Sequence, residues 1–132
     1  MLVKKIKTST EKPPNWDKLV KLFGVEWGPV VVTWGDTCYC ANEVRPDLLV
    51  HETVHMHQQK NPKKWWKRYY KDVQFRVEQE TEAYRAQYKY MKRQIKDRNA
   101  LFRYGDRLAR DLSGSTYGKC IDYQTAYRLI TK

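Results

Sequence analysis

The chain has 132 residues, with 26 lysines and arginines against 15 aspartates and glutamates, and its formal net charge is +11. This length suits one domain with its own core, and no apolar run approaches the ~20 residues that cross a bilayer. The basic N-terminal stretch at 1–7 is not followed by an apolar segment, so we expect no secretory signal. These features predict a cytoplasmic protein with a single domain over residues 1–132 and no membrane partner.

Local patterns predict a mostly helical α+β fold. A short first helix is expected between Asn15, as its cap, and Gly24. A strand rich in β-branched residues follows at 29–34, and Gly35 begins a hairpin turn to a partner strand at 37–40. The further helices are expected at 46–59, directly after the Asn61-Pro62 break, at 74–92, at 95–112 and at 123–130. The sheet should therefore be small and antiparallel, and it should precede the helix at 46–59.

The cysteines are odd in number, which argues against a disulfide framework. We expect Cys38, Cys40 and Cys120 to be reduced structural thiols. Cys40 lies just upstream of the helix at 46–59, and it stays open as an alternative metal ligand.

A dense basic stretch at 63–71 mixes lysine and arginine with tryptophan and tyrosine. Basic residues between aromatics can bind phosphates and stack bases, which indicates a nucleic-acid surface. The alternative is an amphipathic helix, in which the pairs Trp65/Tyr69 and Trp66/Tyr70 pack inward and the lysines are solvated. The high net charge favours acidic partners, of which nucleic acid is the commonest.

All three histidines lie between His51 and His57, and the first five residues of this segment spell H-E-x-x-H. On a helix, His51 and His55 share one face, where two imidazoles can bind one zinc ion. Glu52 lies at the edge of that face and suits the role of a base rather than that of a ligand. His57 is about 200° around the helix from His55, so we expect it to face away from the metal.

The later helix offers glutamates for a third ligand, since catalytic zinc usually takes three from the protein. Glu78 and Glu82 share one face of that helix, and Glu80 lies on the opposite side. The residues alone do not decide which of these three glutamates is the third ligand. The alternative is that they form an ordinary solvated acidic helix face and bind no metal.

H-E-x-x-H followed on a second helix by E-x-E-A at 80–83 resembles the gluzincin metallopeptidases. More closely, it resembles the small minimal-domain proteins of this type in bacteria and phages, and the resemblance covers residues 28–90. The resemblance implies a zincin-like fold, a Zn²⁺ cofactor, Glu80 as the third ligand and an edge strand that lines the substrate cleft. Tyr84 departs from the pattern, because many relatives have aspartate or asparagine there to orient a ligand histidine. If the chain is phage-encoded, a virion location is the alternative to the cytoplasm.

Together these features predict a zinc metallopeptidase that acts on a peptide or protein substrate. Glu52 would be the general base, and a donor to the developing oxyanion would come from Tyr84, first among the candidates, Arg85 or Tyr117. Two other hypotheses stay open. One is a basic nucleic-acid-associated protein with a structural or vestigial metal site, and the other is a deformylase-like amidase with Cys40 as a thiolate ligand.

Overall fold

The structure, a computed structural model, describes residues 5–132. Its elements are β1 (Lys7–Ser9), α1 (Trp16–Phe23), β2 (Val31–Trp34), β3 (Thr37–Cys40), α2 (Pro46–Gln58), α3 (Pro62–Lys71), α4 (Val73–Lys92), α5 (Arg98–Leu112), a 3₁₀ turn (Ser115–Tyr117) and α6 (Tyr123–Thr131). The predicted α+β, mostly helical class is confirmed. Residues 1–4 lie outside the described part of the chain. They include most of the basic stretch at 1–7, on which the prediction of no secretory signal rests. Within 5–132, no helix is both long and apolar enough to cross a membrane.

The sheet has the strand order β1–β3–β2, so β3 is central and β2 lies at an edge. β2 and β3 form the expected antiparallel hairpin, and Gly35 takes the positive φ of 64° that suits glycine at its turn. The sheet is nevertheless mixed rather than antiparallel, because β1 pairs in parallel with β3. The three polar residues of β1 carry no apolar alternation that would indicate a strand. Cys38 and Cys40 are two apart on β3, and both are buried and free.

Short polar side chains begin α3 and α4. The side chain of Asn61 accepts a hydrogen bond from the backbone N–H of Lys64 at 3.1 Å. The side chain of Asp72 accepts one from the N–H of Phe75 at 3.0 Å. Asp72 is both the C-cap residue of α3 and the N-cap residue of α4. The two helices therefore follow each other without a linker.

The start of α5 differs from expectation, and the start of α1 does not. Asp97 caps α5 by accepting from the N–H of Ala100, so the helix begins at Arg98 rather than at Ile95. Asn15 occupies the N-cap position of α1, but its side chain donates to the hydroxyl of Tyr70 at 2.9 Å and makes no cap bond. The predicted cap position of Asn15 is therefore confirmed, although its side chain does not form the cap bond.

Two hydrophobic clusters form the core. The first lies among α4, α5 and α6, and its buried members are Tyr84, Tyr88, Tyr104, Leu108, Ala109, Leu112, Ala126 and Ile130. The second joins α1, β2 and α3 through Leu19, Val32, Trp65, Trp66 and Tyr69. Tyr84 of the first cluster and Trp65 of the second each pack a ring against a histidine of α2. The histidines therefore lie where the two clusters meet.

Arg76 of α4 is buried and joins α3, α4 and the 3₁₀ turn. Its guanidinium donates to the carbonyl oxygens of Tyr69 and Tyr70, both at 2.9 Å, and of Tyr117 at 3.2 Å. Its central carbon lies 5.0 Å from the ring centre of Phe23 on α1. Arg76 thus donates hydrogen bonds to carbonyl oxygens at the end of α3 that have no partner within the helix. It also holds the turn that carries Tyr117 in place.

Candidate metal centre

Three buried side chains converge between α2 and α4. His51 and His55 lie one turn apart on α2, and their Nε2 atoms are 3.2 Å apart. Oε1 of Glu80, on α4, lies 3.2 Å from Nε2 of His51 and 3.1 Å from Nε2 of His55. Each residue is 5 % exposed or less, so bulk solvent does not screen their charges. Among residues 5–132 they are the one group of three potential metal ligands whose donor atoms lie together.

The other candidate ligands lie elsewhere. Glu78 and Glu82 are exposed, and Glu82 accepts a hydrogen bond from Gln58. His57 is exposed, in keeping with its position around the helix. Cys40 is buried on β3 and does not belong to the group.

The orientation of one amide fixes which ring nitrogen of His51 donates a hydrogen bond. Gln87 of α4 places its Nε2 3.1 Å from Oδ2 of Asp47 and its Oε1 3.0 Å from Nδ1 of His51. A carboxylate only accepts hydrogen bonds, so the amide nitrogen must face Asp47 and the amide oxygen must face His51. Nδ1 of His51 therefore carries a proton, and Nε2 faces the group.

Asp47 is buried, yet its surroundings keep it ionised. Burial alone would raise the pKa of this carboxyl, but hydrogen bonds from Tyr104 and Gln87 and the charge of Arg45 outweigh burial and hold the pKa below its ordinary value. The Tyr104 hydroxyl donates at 2.7 Å, and Nε of Arg45 lies 3.3 Å away. Because ionised Asp47 can only accept, it keeps the amide of Gln87 in this orientation.

A second amide orients the ring of His55. Oε1 of Gln58 lies 2.7 Å from Nδ1 of His55. Nε2 of Gln58 donates to the carbonyl oxygen of Gln79 at 3.0 Å and to the carboxylate of Glu82 at 2.8 Å. Both partners only accept, so Nδ1 of His55 carries a proton and its Nε2 faces Glu80.

Tyr69 of α3 positions Glu80. Its hydroxyl donates to Oε2 of Glu80 at 2.6 Å, which leaves Oε1 for the two histidines. The ring of Tyr69 stacks on Trp65 with their centres 5.0 Å apart, and both side chains are buried. The aromatic face of α3 therefore supports the ligand group from one side.

The geometry of the group fits a zinc ion. Zinc binds imidazole nitrogen and carboxylate oxygen at about 2.0–2.1 Å in a tetrahedron, which separates neighbouring ligand atoms by about 3.3 Å. The three observed separations are 3.1 to 3.2 Å. Three lone pairs this close repel each other unless a cation lies among them. In the metal-free protein, a proton on His55 takes the place of this cation. Burial lowers the pKa of His55, but the charge of Glu80 and its hydrogen bond outweigh burial and raise the pKa to about 9.

Glu52 lies beside the group without belonging to it. Its Oε2 is 3.9 Å from Nε2 of His51, and its Oε1 accepts a hydrogen bond from the hydroxyl of Thr33 at 2.8 Å. Burial raises the pKa of Glu52, with the charges of His51 and His55 opposing it. A fixed carboxylate with a raised pKa is suited to remove a proton from a water molecule.

A cavity of about 520 Å³ opens onto the three ligands and Glu52. Residues 30–33 form part of its wall. In the described part of the chain, β2 pairs with β3 alone. The cavity is therefore bordered by the edge strand β2, whereas no residue of β3 lines it.

Two tyrosines line the cavity next to the ligands. The hydroxyls of Tyr84 and Tyr117 are 2.8 Å apart, and the ring centre of Tyr84 is 4.4 Å from that of His51. Two hydroxyls that share one hydrogen bond retain one proton for a further acceptor. Arg85 lines a separate pocket on the outer side of α4, which removes it from the candidate oxyanion donors.

The residues that orient the ligands are not among those predicted from the sequence. Gln87 lies two turns after Glu80 on the same face of α4, and this spacing is the one available signal for its role. Gln87 accepts a hydrogen bond from Nδ1 of His51, whereas Tyr84 packs its ring against that histidine. Asp47 and Tyr104 are separated by 57 residues, so no local pattern indicates their contact.

The sequence matches no family model and no curated protein, and the structure matches no solved structure.

Proposed function

We propose that this chain is a zinc-dependent metallopeptidase. The observation that carries the proposal is the convergence of three potential ligand atoms, on His51, His55 and Glu80, beside the separate buried carboxylate of Glu52. Two imidazoles and one carboxylate are a ligand set of catalytic zinc, and a fourth position is left for substrate or water.

When bound, zinc would polarise a substrate carbonyl and lower the pKa of water towards neutrality. Glu52 takes a proton from the attacking water and transfers it to the leaving amine. Thr33 holds the carboxylate of Glu52 in place for both transfers. The hydroxyl pair of Tyr84 and Tyr117 donates to the oxyanion that develops on the former carbonyl oxygen.

A peptide substrate is favoured by the edge strand along the cavity. An extended peptide can add to the free edge of a sheet through its backbone N–H and C=O groups. β2 lies next to the ligands, with residues 30–33 in the cavity wall. The carbonyl oxygen of Thr33 already accepts hydrogen bonds from Gln59 and Trp66, so the part of this edge that is left for a substrate is at 30–32. A small amide without an extended backbone would not use this edge.

The first test is zinc stoichiometry. The protein is expected to bind one equivalent of zinc, as measured by atomic absorption after dialysis, and to hydrolyse fluorescently labelled casein in a chelator-sensitive manner. His51→Ala and Glu80→Ala should each lose the metal, whereas Cys40→Ala should keep it. Retention of one equivalent in both ligand variants would contradict the assigned centre. Zinc binding without hydrolysis of casein or of a mixed peptide library would contradict the peptidase activity.

Gln87→Ala is expected to weaken zinc binding about 10- to 100-fold, because His51 loses the acceptor that fixes its tautomer and ring orientation. Competition with a chromophoric chelator measures the change. Gln124→Ala is the control, since Gln124 is exposed on α6. Equal zinc affinities for the two variants would show that Gln87 does not position His51.

A further inference from the structure

The outer face of α3 is strongly basic. Around this helix, Lys63, Lys64, Lys67, Arg68 and Lys71 occupy an arc of roughly 140°, and the four aromatic residues occupy the opposite arc. All five basic residues are exposed. From residue 53 to residue 71 the chain contains no aspartate or glutamate.

Most of this charge is not neutralised within the protein. Arg68 forms an ion pair with Asp72 at 3.3 Å, and its guanidinium packs over Phe75. The four lysines form no ion pair in the described part of the chain.

The aromatic residues between the lysines do not share this surface. Trp65, Trp66 and Tyr69 are buried in the second core cluster, and the hydroxyl of Tyr70 is bonded to Asn15. Stacking of unpaired bases needs exposed rings, so this face cannot serve as a platform for a single strand. Repeated lysines without exposed rings suit a regular array of phosphates.

We infer that the outer face of α3 binds the phosphate backbone of a nucleic-acid double helix without sequence specificity. Lys63, Lys67 and Lys71 follow each other at one-turn intervals, about 6 Å apart along the helix axis, and contact successive phosphates. The opposite face of the same helix supports Glu80 through Tyr69. A bound double helix would therefore lie behind the metal centre, separated from it by the width of one helix, about 10 Å.

The test is fluorescence anisotropy with a labelled DNA duplex of about 20 base pairs, titrated at several salt concentrations. The variant carries Lys63→Gln, Lys67→Gln and Lys71→Gln. The matched control carries Lys89→Gln, Lys92→Gln and Lys132→Gln, three exposed lysines outside α3. Both variants lose three positive charges, so a comparison between them separates a local surface from the effect of net charge.

The α3 variant is expected to bind at least about tenfold more weakly at ~100 mM salt, and the slope of log K against log salt should fall by about 2.7, or 0.9 for each lost contact. The control should keep the slope of the unaltered protein. Equal losses in both variants would overturn the inference, as would tighter binding to the single strand than to the duplex. Binding to phosphatidylserine vesicles without binding to the duplex would also overturn it. Both variants should keep one equivalent of zinc, so failure here is distinguishable from failure of the metal centre.

Discussion

Glu52→Gln is expected to keep one equivalent of zinc and to lower kcat/KM for peptide hydrolysis by roughly 10²- to 10⁴-fold, the contribution of a general base. The amide has the size of the carboxylate and can still accept the hydrogen bond from Thr33. Glu52 lies outside the ligand group, so its replacement leaves the metal ligands in place. What the variant loses is the capacity to remove a proton from water.

The measurement pairs hydrolysis of labelled casein with zinc content on the same preparation. Glu78→Gln makes the same chemical change at an exposed carboxylate on the outer side of α4, and it should hydrolyse at the rate of the unaltered protein. If Glu52→Gln also hydrolysed at that rate, Glu52 would not be the base. If it lost zinc, Glu52 would be a ligand rather than a base.

Arg76→Ala is expected to lower the free energy of unfolding by about 3–5 kcal/mol. The substitution leaves three carbonyl oxygens, those of Tyr69, Tyr70 and Tyr117, without their donor. A buried polar group without a partner costs about 1–3 kcal/mol, and the removed side chain also leaves space beside Phe23. Since natural domains are stable by about 5–15 kcal/mol, the variant should fold with reduced stability.

Urea denaturation of the metal-free protein measures this effect without a contribution from zinc binding. Arg103→Ala removes an exposed arginine of α5 and should leave the midpoint nearly unchanged. Arg76→Lys should fall between the two, because one ammonium cannot replace the planar fork of a guanidinium at three acceptors. A midpoint for Arg76→Ala equal to that of Arg103→Ala would show that the three carbonyl contacts do not stabilise the fold.

The helices could be predicted because their signals are local. Periodic apolar residues, Pro46, Gly24 and the Asn61-Pro62 break define most of the boundaries. Asp97 is a usual capping residue, and in the structure it moves the start of α5 to Arg98. β1 has no comparable signal: it is three polar residues long and depends on pairing with β3, about thirty residues away.

At the candidate site, the sequence could predict the groups that lie close together on one helix. H-E-x-x-H indicated two ligands and a base, and the choice of Glu80 over its neighbours needed the resemblance to gluzincins. The supporting residues depend on contacts between elements: Gln87 meets Asp47 across 40 residues, and Thr33 reaches Glu52 from a strand. Helical periodicity cannot indicate such contacts, because they follow from how the elements pack.

The direct junction of α3 and α4 at Asp72 limits how the length of this chain can change. Between His55 and Glu80, the residues outside helices are 59–61 and Asp72. An inserted or deleted residue within α3 would turn the following helix by about 100° and shift it by about 1.5 Å relative to α2. The carboxylate of Glu80 would then no longer lie next to the two histidines. Insertions compatible with the site are thus expected in connections such as 24–30 or 93–97, and the spacing of 25 residues between His55 and Glu80 becomes a criterion for finding relatives of this chain.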